Sequence, residues 1–316
     1  MSNNREMYDT PMQAWPGLSK FGKKIPILDG DLDIFFYEIG KDHPHNLVMI
    51  HGLGDEADTW RHVLLPLAKR YHIIAVDLPG FGRSDLPESK ITPVFLMGFL
   101  KSIWEATGLD RAILLGNSLG AILSHAFALK NPDLVEGLVL VGGALLQNET
   151  MGDISLFLMQ IPLLGEWLYT RLRKDPQAAY DSLRNVYFKL DNLPESDRDF
   201  LFTRVNQRVW SDKQRKAYFS TLRNLSPWVR DCQANLPEQL SLLQIPTLVL
   251  RGEHDNLFLA KNGKGVERVQ PKAVFSEVPD SGHLPHQENP EAFLKILEHW
   301  LAENIPLNEQ GRSAVS

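Results

Sequence analysis

Short, almost continuous apolar runs alternate with longer amphipathic stretches along most of the chain. Asn46-Leu47-Val48-Met49-Ile50 and the runs at 71–76, 112–116 and 136–142 are of the first kind. Such runs predict strands buried on both faces, the usual reading of parallel strands. Helical patterns separate them, at about 59–70, 94–107 and 118–130. This alternation predicts an α/β class with a mostly parallel central sheet flanked by helices. Ahead of it, Ile25-Pro26-Ile27-Leu28 and residues 33–38 read as a hairpin turning at Asp29-Gly30-Asp31. Gly142-Gly143 ends the register, and residues 146–235 then show no convincing strand. Helical clusters dominate there, including Ile154-Ser155-Leu156-Phe157-Leu158-Met159 and 204–223, with a break at Pro162-Leu163-Leu164-Gly165. Alternation resumes at Thr247. The expected division is a core over 20–145 and 236–305, a helical insertion over 146–235, and terminal extensions at 1–19 and 306–316, the tail after Ile305 being polar.

Composition narrows the partners. With 316 residues, 43% hydrophobic and 23% charged, the chain can build one large core and a smaller attached unit. A net charge of −6 argues against nucleic acid or an anionic membrane as partner. The single cysteine, Cys232, cannot form an internal disulfide. Met1-Ser2-Asn3-Asn4-Arg5-Glu6 lacks a signal peptide's apolar core, and no apolar run reaches the ~20 residues of a membrane span. A cytoplasmic location, as monomer or homodimer, is the expectation. Neither an H-x-x-x-H pattern nor paired cysteines occur, so no metal or other cofactor is expected.

The most specific signal is Leu114-Leu115-Gly116-Asn117-Ser118-Leu119-Gly120-Ala121, a strand running into G-x-S-x-G and on into a helix. This is the nucleophile elbow, a turn so tight that the serine sits strained at its crest. Larger side chains at Gly116 and Gly120 would strike neighbouring backbone. A helix starting at the serine also aims free N–H groups at any oxyanion formed there, the N–H of Leu119 first among them.

A serine hydroxyl needs a base within hydrogen-bond reach and a carboxylate to orient that base. Downstream, the strand beginning Ile245-Pro246-Thr247 breaks into a turn carrying Asp255, and the strand at 273–279 leads to Asp280-Ser281-Gly282-His283. His254 and His286 compete for the base, but Gly282 and the strand end at Pro279 put His283 on a loop at the sheet's carboxyl edge. Glu253 still belongs to its strand, so Asp255 on the turn is the preferred acid, and Asp280 is assigned to capping its own turn.

The chain order Ser118, Asp255, His283 makes the resemblance plain: the chain resembles the α/β-hydrolase superfamily, of the type with a helical cap, from about residue 25 to 302. The resemblance implies an α/β-hydrolase fold whose cap, residues 146–235, closes over the site and sets substrate choice. It also implies that Leu53, after His51-Gly52, supplies the second oxyanion-hole N–H. Asp77-Leu78-Pro79-Gly80-Phe81-Gly82-Arg83-Ser84-Asp85 resembles the family's D-x-P-G-x-G-x-S-D loop, whose role is architectural. A competing reading takes Gly52-Leu53-Gly54-Asp55-Glu56-Ala57 as a dinucleotide fingerprint with Asp77 on the ribose. Asp55, Glu56 and Asp58 would repel a pyrophosphate there, and a strand at 33–38 precedes the supposed first strand.

Related dehalogenases and epoxide hydrolases place aspartate at the elbow. Ser118 there points instead to an acyl-serine mechanism, hence to a carboxylic-ester hydrolase acting on small-molecule esters. The cap's large apolar residues, among them Leu156, Phe157, Leu158, Met159, Trp167, Tyr169, Trp210, Tyr218, Phe219 and Trp228, favour an apolar acyl or alcohol pocket. Two rivals stand. Asn117 before the serine resembles hydrolases that cut carbon–carbon bonds of aromatic ring-cleavage products, with Arg204 or Arg208 as grips for a substrate carboxylate. Against that, Leu284 follows His283 where those enzymes usually carry tryptophan. The second rival is a ligand receptor on the same fold with vestigial hydrolysis.

Overall fold

Side chains alternate across the central strands, and that alternation decides the architecture. In a strand, successive residues face opposite ways. Val48 and Ile50 accordingly join one apolar cluster while Leu47 and Met49 join another, and Leu114 and Ile113 divide in the same way. A sheet with apolar residues on both faces must be covered twice. The computed structural model describes residues 2–28, 30–146 and 158–305. It shows one eight-stranded sheet in the order β1-β2-β4-β3-β5-β6-β7-β8. The strands are β1 (Gly22–Ile27), β2 (Leu32–Ile39), β3 (Asn46–Ile50), β4 (His72–Val76), β5 (Ala112–Asn117), β6 (Val135–Val141), β7 (Thr247–Gly252) and β8 (Ala273–Val278). β1 and β2 form the expected antiparallel hairpin, β2 runs antiparallel to β4, and all remaining pairings are parallel. The hairpin's Asp29 lies outside the described residues.

Helices α1 (Pro93–Thr107) and α2 (Leu119–Lys130) cover the face holding Leu96, Phe99 and Phe127. Between β6 and β7 the described chain is helical: α3 (Leu164–Arg171), α4 (Pro176–Asp181), α5 (Glu195–Trp210), α6 (Asp212–Cys232) and α7 (Leu236–Leu242). It has its own apolar cluster around Tyr180, Tyr187, Leu201 and Val205, joined by Leu284. α8 (Ala260–Val269) follows β7, and α9 (Pro290–Asn304), the last helix among the described residues, buries Phe293 and Trp300 on the second face. Among the described residues no helix is long and apolar enough to cross a membrane.

Several sequence expectations need correction. The helix expected at 59–70 is a 3-10 turn, Ala57–Trp60, and a single α-turn, Leu64–Leu67. Pro66 lacks an N–H to continue a ladder, and the buried Asp58, Thr59 and Arg61 side chains are committed to distant partners. The helix expected at 204–223 is two helices. Ser211, in extended conformation, separates them and accepts from the N–H of Gln214. The break near Leu163 is present, with Leu163 at φ +68 just before α3. Ile154, Leu156, Phe157 and the tail after Ile305 lie outside the described residues. The segment ahead of β1 packs on the rest of the protein. Leu18 is buried, the Trp15 N–H donates to Asp58 at 2.8 Å, and the Gln13 carbonyl accepts from Arg204.

Candidate active site

β5 ends at Asn117, and α2 begins at Leu119, so Ser118 is the whole turn. Its backbone sits at φ 52 and ψ −111, a strained region for a side-chain-bearing residue. The Ser118 N–H donates to Val141 O at 2.8 Å, which ties the turn to the neighbouring strand. A Cβ on Gly116 would overlap the Gly120 carbonyl, and one on Gly120 would overlap the Ile50 carbonyl. Only glycines allow strand, turn and helix to close this far. As first residue of α2, Leu119 has an N–H with no intrahelical carbonyl to meet, and the helix dipole is positive there.

The histidine arrives from the other side. The loop after β8 carries His283, whose Nδ1 lies 2.9 Å from Asp255 Oδ2. The other carboxylate oxygen, Oδ1, accepts the N–H groups of Leu257 and Phe258 at 2.8 and 3.0 Å. Burial alone would raise the Asp255 carboxyl, but His283 and these donors hold it below the usual carboxylate range. Burial alone would lower the His283 imidazolium, and Asp255 outweighs that to raise it above 6.5. Gly142 and Gly143, at the end of β6, form the shared floor. A Cβ on Gly142 would lie 3.1 Å from His283 Cε1 and Nδ1, and one on Gly143 would lie 3.1 Å from Ser118 Cα. Asn117 Nδ2 donates to Val141 O at 3.2 Å and His283 O at 3.3 Å, stitching the histidine loop to the elbow. The His283–Asp255 pair and Ser118, far apart in sequence, therefore lie on adjoining residues of one floor, Gly142 and Gly143, at the carboxyl end of β6.

The loop after β3 completes the arrangement. A Cβ on Gly52 would lie 3.4 Å from Ser118 Cβ. His51 is fully buried, and burial lowers its imidazolium, leaving a neutral ring. Its Nε2 accepts the Leu78 N–H at 2.8 Å, so the ring proton is on Nδ1, which donates to Gly52 O at 2.7 Å. Because the peptide is planar and trans, turning the Gly52 carbonyl toward the imidazole turns the Leu53 N–H the opposite way. Tyr218 of α6 packs on the next residue, 3.3 Å from where a Gly54 Cβ would be.

A family profile for the alpha/beta hydrolase fold matches residues 46–290. The chain belongs to the α/β-hydrolase fold family. The 2-hydroxy-6-oxo-6-(2'-aminophenyl)hexa-2,4-dienoic acid hydrolase of Metapseudomonas resinovorans is 28% identical to this hydrolase over 286 residues, spanning 88% of this chain and 90% of that one. A meta-cleavage product hydrolase from Pseudomonas fluorescens superposes with a TM-score of 0.73 at 20% identity, covering 90% of this chain and 98% of the other. A thermophilic esterase from Thermogutta terrifontis superposes with a TM-score of 0.70 at 22% identity, covering 89% and 98%.

The hydrolase uses its acidic cluster differently from either reading of the sequence. Arg208 of α5 bonds Glu56 Oε1 at 2.8 Å and Oε2 at 2.9 Å and also pairs with Asp55; Arg204 lies 3.3 Å from Glu56. Despite burial, these arginines hold the Glu56 carboxyl down at about 2. Asp58, with Arg83 at 2.7 Å and the Tyr37 hydroxyl at 2.7 Å, is instead pushed up, chiefly by burial. Arg204 and Arg208 are thus engaged by the protein's own carboxylates. They are not free grips for a substrate carboxylate, because leaving Glu56 unpaired in the interior would cost several kcal/mol.

The rival site residues are placed elsewhere. His286 is buried against Trp60, 4.2 Å between ring centroids, and meets Thr59 Oγ1 at 3.0 Å. His254 stacks on Phe188 at 3.7 Å. Glu253 and Asp280 are exposed, and Asp280 pairs with Lys189 at 3.0 Å. In the D-x-P-G-x-G-x-S-D loop, Asp77 accepts from Ala57 N–H and Arg83, and Ser84 Oγ donates to Asp77 O.

Sequence reasoning missed how the helical insertion grips the segments at 61–62 and 282–288. Arg61 and His62 both bond Asp197 Oδ1 at 2.7 Å, and Gln287 accepts from Tyr187 Oη at 2.7 Å and Arg61 Nη1 at 2.6 Å. Beside His283, Glu288 accepts backbone N–H groups from two separate segments. No local pattern announces such bonds; only the cluster of charged residues Asp55, Glu56 and Asp58 hinted that partners existed.

Proposed function

We propose that this hydrolase cleaves carboxylic esters of small to medium apolar substrates through an acyl intermediate on Ser118. The observation that carries the reading is the strained Ser118 backbone lying on the same glycine floor as a buried His283–Asp255 pair. His283 Nε2 takes the proton of Ser118 Oγ as the oxygen attacks the ester carbonyl. Asp255 keeps the other ring nitrogen protonated and balances the imidazolium. The Leu53 and Leu119 N–H groups receive the oxyanion. The imidazolium then protonates the leaving alcohol, and water repeats the sequence on the acyl-serine to return acid and free enzyme.

The surroundings favour apolar substrates. Tyr218 lies over the oxyanion loop, with Tyr169 at 5.7 Å and Phe219 at 5.3 Å between ring centroids. A carbon–carbon bond hydrolase is the second reading, favoured by Asn117 and the Metapseudomonas resinovorans relative. Its substrate is a dienoic acid by name, and the two arginines that seemed suited to a carboxylate are already paired. A panel of p-nitrophenyl esters of rising chain length, with one ring-cleavage dienoate added, separates the two. Preferred turnover of an ester supports our reading, and preferred turnover of the dienoate overturns it. Very slow turnover of both supports the receptor alternative. Ser118→Ala should abolish ester hydrolysis while leaving the fold intact, and near-wild-type activity in it would sink the assignment of the nucleophile.

A further inference from the structure

Glu288 stands beyond the triad, at the end of the short helical turn Pro285–Glu288. Its Oε1 accepts the N–H of Gly282, the residue before His283, at 2.8 Å. Its Oε2 accepts the N–H of Phe188 at 2.8 Å and of Lys189 at 3.3 Å, both in the helical insertion. The two segments also meet directly. The His283 N–H donates to Val186 O at 2.9 Å, and a Cβ on Gly282 would lie 2.7 Å from Phe188 N. The histidine loop thus has the elbow on one side, through Asn117, and residues 186–189 on the other.

We propose that Glu288 is a positioning residue, one carboxylate that locks the His283 loop to segment 186–189 and so holds the imidazole in register with Ser118 and Asp255. The proposal rests on the reading of His283 as the base. The chemistry singles out a carboxylate, because both of its arms must accept. A glutamine amide has one accepting oxygen, and its NH2 would face an N–H donor on the other arm. Either the Gly282 bond or the Phe188–Lys189 pair must then break. Phe188 stacks on His254, in the turn that carries Asp255, so one carboxylate sits where the acid turn, the base loop and the insertion converge.

The test is Glu288→Gln in the full-length protein. Its readouts are the rate at which a fluorophosphonate labels Ser118, kcat and KM for a p-nitrophenyl ester, and the downfield proton resonance of His283 Nδ1–H. A misplaced base loop should slow labelling and kcat by roughly 10- to 100-fold, with KM changing less than about threefold. The Nδ1 proton should shift or broaden, which a change confined to the insertion's packing would not produce. If the glutamine variant does not fold, Glu288→Ala carries the same measurement, since it removes the acceptors without adding a donor. A folded variant with wild-type labelling rate and an unchanged Nδ1 proton overturns the proposal. If the probe fails to label Ser118 in the wild type, the functional reading has failed, and the His283 proton alone decides the role of Glu288.

Discussion

Asp255→Asn tests the site most sharply, because the structure dictates which way the new amide must turn. Asp255 Oδ1 accepts two backbone N–H groups, from Leu257 and Phe258, and Oδ2 faces His283 Nδ1 at 2.9 Å. An asparagine keeps its oxygen on the two N–H donors, since its NH2 cannot accept them. The NH2 therefore faces His283 Nδ1, donor against donor. The imidazole escapes by moving its proton to Nε2, the atom that must accept from Ser118 Oγ. The expected loss in kcat is roughly 10³- to 10⁴-fold, or about 4–5.5 kcal/mol in the barrier. The pH profile adds a second readout. Asp255 raises the His283 pKa above 6.5, so wild-type kcat/KM should fall as pH drops through that raised value. Without the charge, the residual activity's acid limb should move to lower pH. The assay is initial-rate ester hydrolysis across about pH 5 to 9, with circular dichroism as the check on folding. A folded Asp255→Asn variant retaining a tenth of wild-type kcat, with its acid limb unmoved, would refute the assignment.

Four further outcomes rest on other contacts. Asp280→Asn should change kcat less than about twofold, because that carboxylate is exposed, bonds only Lys189 among the contacts described, and sits at φ +51 where asparagine is tolerated; steady-state kinetics beside Asp255→Asn decide the matter. Arg208→Ala leaves buried Glu56 with Arg204 as its remaining close cation and should cost roughly 3 kcal/mol in chemical denaturation, with loss below about 1 kcal/mol counting against a buried clamp. In the wild type, the Glu56 contribution should be present above its ordinary 4.5 and disappear as pH falls toward about 2, with Asp58, pushed the other way, opposing it. Gly120→Ala drives a methyl into the Ile50 carbonyl and should destabilise by roughly 3 kcal/mol or more, so an unchanged melting temperature would contradict the packing of α2 on β3.

What was legible in the sequence was what is local. The strands around Val48, Ile74 and Leu114 showed themselves because strands buried on both faces must be continuously apolar. Ser118 showed itself because a tight strand-to-helix turn leaves few residue choices at 116 and 120. That His283 and Asp255 would be brought together was readable from their place after β8 and β7. The stretch 57–67 was not, because its conformation answers to Asp197 and His286, more than a hundred residues away in sequence. The same holds for Arg204 and Arg208. A charged residue on a helix face reads alike whether it awaits a substrate or is spent on a buried carboxylate. Glu288 sits just before Asn289-Pro290 and reads as helix entrance, while both of its acceptor arms reach backbone that no pattern marks.

The distribution of buried charge bears on how far the helical insertion can act as a simple cover. Glu56 and Asp58 are fully buried, three and five residues beyond Leu53, and their cationic partners are Arg83 on the core and Arg204 and Arg208 on α5. Withdrawing α5 would strip Glu56 of its ion pairs with Arg204 and Arg208, and breaking buried pairs costs several kcal/mol. On the opposite side of Ser118, the His283 N–H and Glu288 bind residues 186–189. Both loops that flank the serine are therefore braced from outside by the same insertion. In a serine hydrolase the oxyanion donors and the base must stand in place before the substrate arrives, because rearranging dipoles during reaction forfeits their advantage. An insertion bonded to both loops supplies that rigidity to the proposed site, so a change in it should disturb the placing of His283 and the 52–58 loop together.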